Sequence, residues 1–260
     1  MGNSFTHLHL HTEYSMLDGA ARVADVVRAA VADGQPAIGM TDHGNMYGTI
    51  DFYETCRKNG VNPIIGFEAY MAGESRFERP SRRGRVDDTG GDAEGGQKLY
   101  YHLTLLAENN AGYQNLMKLS SYAFLEGYYY QPRLDWELLE RHHEGVIATS
   151  GCLGGIVLQT LMQGDQRKAT KYASRLQDIF GRDNFFIELQ DHGLDEQRRT
   201  NPMLLELAKE IQAPLLATND SHYTDHEDAT SHDALLCVQT NSTVDDPNRF
   251  RFGLFAERHE

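Results

Sequence analysis

The sequence predicts a parallel α/β chain closed into a TIM-like barrel, a (β/α)7 arrangement. Three observations carry this. Short apolar stretches at 4–10, 36–40, 63–71, 99–107, 145–149, 184–190 and 214–218 are rich in Val, Ile, Leu, Phe or Tyr and read as strands. Helical patterns follow most of them, which is the alternation of a parallel sheet with crossover helices. Histidines, acids and one cysteine recur at the strand ends, and in such a barrel the carboxyl ends of the strands share one face. Strands this short and numerous favour a closed barrel over an open doubly wound sheet.

The first element is Phe5-Thr-His-Leu-His-Leu-His-Thr-Glu-Tyr-Ser-Met-Leu-Asp-Gly19. In a strand, Phe5, His7, His9 and His11 face one side and Thr6, Leu8 and Leu10 the other. A row of imidazoles packs poorly but suits a borderline metal. A polar turn then delivers Asp18. The helix over 21–32 places Val23, Val26, Val27, Ala30 and Val31 at helical spacing, and Gly34 stops it. Further helices are expected over 47–58, 112–124, 165–180, 196–211 and 226–238, with Asn201-Pro202 marking a start or a break in the fifth of these.

One stretch departs from the pattern. Residues 73–97 are polar and glycine-rich, basic first and acidic after, and read as a mobile loop. A second reading gives Arg76, Arg79, Arg82, Arg83 and Arg85 a role in touching phosphates, with Arg82 and Arg83 the best candidates for DNA contacts. The end of the chain, 245–260, reads as a linker or truncation.

Composition sets the bounds. The 260 residues are 40% hydrophobic and 24% charged, ordinary for a soluble protein, and are expected to form one domain and a monomer. No apolar run approaches bilayer length and the N-terminus shows no apolar signal region, so no membrane is expected and a cytoplasmic location is. Three widely spaced cysteines do not form a disulfide framework. A net charge of −14 excludes a chain that grips nucleic acid by bulk electrostatics, yet it suits carboxylates crowded around metal ions.

The strand ends supply the chemistry. His9, His11 and Asp18 follow the first strand, and Asp42 and His43 the second. Glu68 lies in the third and His102 in the fourth, where its early position fits least well. Cys152 follows the fifth, Glu188 lies in the sixth with His192 beyond it, and Asp220 and His222 follow the seventh. Each has an ordinary alternative: a capped turn at Asp42-His43-Gly44, a small buried thiol at Cys152, a helix cap at Asp220-Ser-His222. The repetition favours one cluster. A triad hydrolase built on Cys152 would need far fewer acids and imidazoles.

These motifs resemble the PHP (polymerase and histidinol phosphatase) domain, and the whole chain is similar to the branch at the N-terminus of bacterial DNA polymerase III alpha subunits. Phe5 to Gly19, Leu106-Ala-Glu-Asn-Asn-Ala-Gly-Tyr-Gln-Asn-Leu and Ala217-Thr-Asn-Asp-Ser-His-Tyr carry that closer likeness. The resemblance implies a distorted seven-stranded barrel with three divalent ions. His9, His11, Glu68 and Asp220 would hold one. Glu68 would bridge to a second, held also by His102 and Cys152. Asp18, His43 and His222 would hold the third. All nine positions are filled by ligating residues, as in active members. The donor mixture suits zinc, or manganese or iron, better than magnesium or calcium. Asp18, Glu68 and His43 are the expected catalytic residues, and Asp42, Glu188 and His192 the expected partners that orient ligands. The implied activity is 3′→5′ exonucleolytic proofreading, with a DNA 3′ end, the remaining polymerase domains and replisome subunits as partners. A phosphatase for a small monoester and a metal-stabilised structural module are the alternatives.

Overall fold

The computed structural model describes residues 5–83, 92–93 and 98–251. Helix α1 (Val23–Ala32) precedes β1 (Ala37–Met40), α2 (Thr49–Lys58) and β2 (Asn62–Met71). β3 (Arg82–Arg83) and β4 (Asp92–Ala93) form a separate antiparallel pair. β5 (Tyr101–Ala107), α3 (Asn110–Leu125), β6 (Arg133–Leu134), α4 (Trp136–Arg141) and β7 (Val146–Thr149) come next. α5 (Ile156–Met162), α6 (Gln166–Phe180), β8 (Phe185–Leu189), α7 (Asp195–Ile211), β9 (Leu215–Ala217) and α8 (Ala229–Thr240) complete the described chain. Among the described residues, no helix is long and apolar enough to cross a membrane.

The main sheet runs β1-β2-β5-β7-β8-β9, with β6 added beside β2. Its two edges meet across the N-terminal segment. Gly39 and Thr41 donate backbone N–H groups to His7 and Leu10, while His11 donates to Ser221 and Ser221 to His9. Residues 7–12 therefore stand as the seventh stave between β1 and the end of β9, and the sheet curls into a distorted TIM-like barrel. The expected strand at 4–10 is thus displaced towards 12. It is an extended segment held by isolated bridges at Leu10 and Thr12 rather than a regular strand.

The sequence reading takes every strand as parallel, and this needs correcting. β5 runs antiparallel to both β2 and β7. Alternating apolar residues establish that a stretch is a strand, but nothing in that pattern encodes its direction. The reversal matters for the site. An antiparallel strand presents its amino end where its neighbours present their carboxyl ends, so His102, second in β5, reaches the functional face.

Helices arise where the spacing predicts them. In α1, Val23, Val26, Val27 and Ala30 are buried and Gly34 closes the helix at φ 72°, while Val31 stays exposed. α7 runs unbroken through Pro202, so Asn201-Pro202 neither starts nor breaks it. α4 and α5 were not expected. α4 is only six residues long, and α5 is buried on all sides from Ile156 to Leu161 and so lacks an amphipathic stripe. Three apolar clusters lie among the described residues: one of α1, β1, α2 and Leu10, a larger one joining β2, β5, β7 and β8 to the later helices, and a small one of Tyr70, Leu99 and Tyr100.

Part of the expected mobile loop is anchored. Arg76 is 4% exposed, and its guanidinium bonds Asp135 at 2.9 Å, Glu126 at 2.7 Å and Glu137 at 3.1 Å. Buried and matched by three carboxylates, it is committed to the fold rather than offered to a phosphate. Arg79, which is exposed, donates to the backbone oxygens of Arg76, Glu78 and Glu126. Arg82 and Arg83 lie in β3. Arg85, the rest of the loop at 84–91 and 94–97, and residues 252–260 of the expected linker lie outside the described residues.

Candidate metal centre

All nine expected ligands meet at one end of the barrel, with Glu68 in their midst. Its Oε1 lies 3.3 Å from His9 Nε2, 3.4 Å from His102 Nδ1 and 3.4 Å from Cys152 Sγ. Its Oε2 lies 3.0 Å from His43 Nδ1 and 3.4 Å from His11 Nε2. Asp220 Oδ1 sits 3.2 Å from His9 Nε2 and 3.1 Å from His11 Nε2. Asp18 Oδ2 faces His43 Nε2 at 2.6 Å and His222 Nε2 at 3.4 Å. The alternation read from residues 5–11 holds for His9 and His11. His7 is left outside the cluster, half-buried beside Phe5.

Local structure explains why each side chain arrives. His43 and Glu68 are bridge partners just past β1 and within β2. Gly44 turns at φ 65°, and a Cβ there would stand 2.7 Å from the Tyr70 ring, so glycine is what lets the loop turn back. A Cβ on Gly154 would lie 2.9 Å from the His102 ring, so glycine also makes room for that ligand. Asp220 holds a left-handed backbone at φ 47°, a conformation that aspartate tolerates at a cost of about 1 kcal/mol and that recurs at functional sites.

The orienting partners divide. Glu188 accepts from His9 Nδ1 at 2.6 Å and from the hydroxyls of Thr149 and Thr218, which fixes the His9 tautomer and aims Nε2 inward. Asp42 acts through Ser15: His11 Nδ1 donates to Ser15 Oγ at 3.1 Å, and the Ser15 hydroxyl donates to Asp42 at 2.8 Å. His192 does not orient a ligand side chain, contrary to expectation. It is exposed and bonds the backbone oxygen of Asn219, steadying the loop before Asp220. His232 was missed. From α8 its Nε2 donates to the Asp18 backbone oxygen at 2.7 Å, and a single histidine 214 residues away carries no local signal. Thr149 and Thr218 were missed for the same reason, and Ser15 because a lone serine in a polar turn carries no signal of its own.

Electrostatics show a site short of cations. Burial disfavours the His9 and His43 imidazolium forms, yet neighbouring carboxylates outweigh it and hold both well above the ordinary range. His222 is raised to about 9 in the same way, with Asp18 the main counter-charge. Burial and the facing His43 and His222 charges push His11 down to about 3. Burial also opposes the charged forms of Asp18, Glu68 and Asp220, but the surrounding imidazoliums keep all three below the usual carboxylate range. Protons on the histidines thus stand where divalent cations would balance the same carboxylates.

The donor set fits metal ions. His9 Nε2, His11 Nε2, both Asp18 oxygens, Glu68 Oε2 and Asp220 Oδ1 are buried without a well-directed hydrogen bond. A tetrahedral ion with bonds of roughly 2.0–2.1 Å separates its donors by about 3.3 Å. The contacts of His9 and His11 with Glu68 and Asp220, at 3.1–3.4 Å, match that edge. Cys152 Sγ and His102 Nδ1, 3.7 Å apart, match the longer edge of a thiolate site. The His43–Asp18 contact at 2.6 Å is shorter than that edge and would open by about 0.7 Å to admit an ion. Three overlapping triads have donor atoms within 4.8 Å of one another: His11, His43 and His222; His9, His11 and Asp220; His43, Glu68 and His102. His11 and His43 each serve two of them, so the triads do not reproduce the expected partition ligand for ligand.

Residues 7–192 match the family model described as PHP domain. The chain is 48% identical over 249 residues to DNA polymerase III subunit alpha of Treponema pallidum, covering 96% of this chain and 20% of that protein. It is 49% identical over 252 residues to the same subunit of Deinococcus radiodurans, covering 95% and 18%. The chain therefore spans about a fifth of the length of these relatives. A solved structure of histidinol phosphate phosphatase from Lactococcus lactis, complexed with zinc, L-histidinol and phosphate, is similar at 13% identity and TM-score 0.46, covering 90% of this chain and 92% of that one.

Proposed function

This chain belongs to the PHP domain family, and from that premise we propose that its barrel-end cluster is a metal-dependent phosphodiesterase that removes nucleotides from DNA 3′ ends. Its setting is a DNA polymerase III alpha chain, whose other domains and replisome subunits are its partners and whose DNA is its substrate. The observation that supports this reading best is the convergence of all nine candidate ligands, eight of them buried, in one cluster with Glu68 in its midst. A module kept only for its fold has no need of an intact ligand set.

His9, His11, Glu68 and Asp220 would hold one ion, Glu68, His102 and Cys152 a second, and Asp18, His43 and His222 a third. Zinc is the expected metal, with manganese or iron as alternatives. Bound there, divalent ions supply Lewis acidity that activates water, neutralises phosphate charge and stabilises a leaving oxygen. The protein's own work is positional. Glu188 and Ser15 lock two imidazoles in the tautomers that direct Nε2 inward. Glu68 is shared by two of these sites and lies 3.0 Å from His43 of the third, where Asp18 faces His43, so these three are the proposed catalytic residues. Asp220, at 15% side-chain exposure the most open ligand, marks the side from which substrate enters.

The test is elemental analysis of purified protein paired with degradation of a 3′-labelled primer. Metal together with primer degradation supports the reading. Metal without it favours the structural module, and release of phosphate from small monoesters alone favours the phosphatase.

A further inference from the structure

Asp18 has an orientation problem. Neither of its carboxylate oxygens makes a well-directed hydrogen bond, so its aim at His43 and His222 is set by the backbone that carries it. That backbone is clasped from two directions. Ala20 N–H donates to the His222 backbone oxygen at 2.7 Å, tying the loop to the other ligand loop. His232 Nε2 donates to the Asp18 backbone oxygen at 2.7 Å from α8. His232 is 3% exposed, and its ring lies 5.6 Å from that of His222 and 5.4 Å from that of Tyr223. Leu236 and Cys237 of the same helix are buried as well.

We propose that His232 is a positioning residue for the ion held by Asp18, His43 and His222: its hydrogen bond to the Asp18 backbone, beside its packing on His222, sets the spacing of two of that ion's three ligands. This rests on those three residues being ligands. A buried ring packed on one ligand and bonded to the backbone of another does two tasks that a bulk-equivalent apolar side chain does only in part. Partners of this kind are typically worth roughly 10- to 100-fold in metal affinity.

The experiment counts ions per chain and measures zinc affinity in wild type, His232→Leu and His232→Gln. Leu keeps much of the bulk and removes the donor; Gln carries an amide donor near the reach of Nε2. Three ions in wild type, two in His232→Leu and recovery in His232→Gln support the proposal. Melting after chelation separates the roles, since a purely structural contact lowers the melting temperature of the metal-free protein and leaves the ion count alone. Three ions at wild-type affinity in a folded His232→Leu protein would overturn it. Should His232→Leu fail to fold, His232→Asn, whose amide is too short to reach Asp18, takes its place, and three tightly bound ions there would equally overturn it. A wild type that binds no ion overturns the ligand reading itself, and this inference with it.

Discussion

Two buried polar clusters lie in this barrel, and they are built on opposite principles. Around Arg76 and Arg133, the guanidiniums are met by carboxylate and backbone oxygens. Arg133, 1% exposed, donates to the backbone oxygens of Gly127, Leu99, Arg76 and Glu78, and Arg76 is matched by Asp135, Glu126 and Glu137. Around Glu68, acids and imidazoles converge with donor atoms left over. Burial and charge are common to both. What differs is the matching of charge: cations meet oxygens in the first cluster, while buried ligating atoms are in excess in the second.

The largest break in that contrast is expected from Asp18→Asn. It keeps the side chain's shape and removes the charge that attracts a divalent ion. Primer degradation should fall by at least 10²-fold, on the order of 3 kcal/mol of transition-state stabilisation. One ion per chain should be lost while circular dichroism stays unchanged. Wild-type turnover in this variant would mean that Asp18 is no ligand or that the nuclease reading is wrong.

Arg76→Met should do the reverse. It leaves Asp135 buried without its main counter-charge, so unfolding in urea should show a loss of roughly 3–5 kcal/mol. The ion count of the folded fraction should match wild type. A fall in metal content comparable to that of Asp18→Asn would erase the distinction between the clusters.

Chelation tests the metal side alone. Ions bound to the folded chain at about 100 times their dissociation constant add about 2.7 kcal/mol. Their removal also leaves Asp18, Glu68 and Asp220 repelling one another. The melting temperature should drop by several degrees in wild type and by a similar amount in Arg76→Met. Equal melting with and without chelator would count against a metal centre.

The smallest effect concerns pH. In the metal-free protein His222 is raised from its ordinary 6.5 to about 9. A raised histidine contributes stability that is fully present below about pH 6.5 and is lost as pH climbs through 9. Melting of the chelated protein should therefore decline between pH 7 and 9.5. With metal in place of the proton the decline should be shallower, and identical slopes would weaken the view that protons and metal compete there.

Much of this was written locally. The period of the strand residues put His9 and His11 on one face, and dipeptides such as Asp42-His43 and the Asp220-Ser-His222 turn marked strand ends. Strand existence depends on near neighbours, so the sequence by itself marked seven staves and placed nine candidate donors at or near their ends. Tertiary structure decided what depends on partners far along the chain. It reversed β5, which brought His102 onto the functional face, and it closed the barrel through residues 7–12. It turned Arg76 inward to Asp135, 59 residues away, and carried His192 out to the surface. It also set His232 behind Asp18, 214 residues distant. Periodicity records which face of an element is polar; direction, register and long-range hydrogen bonds are fixed only when the elements pack.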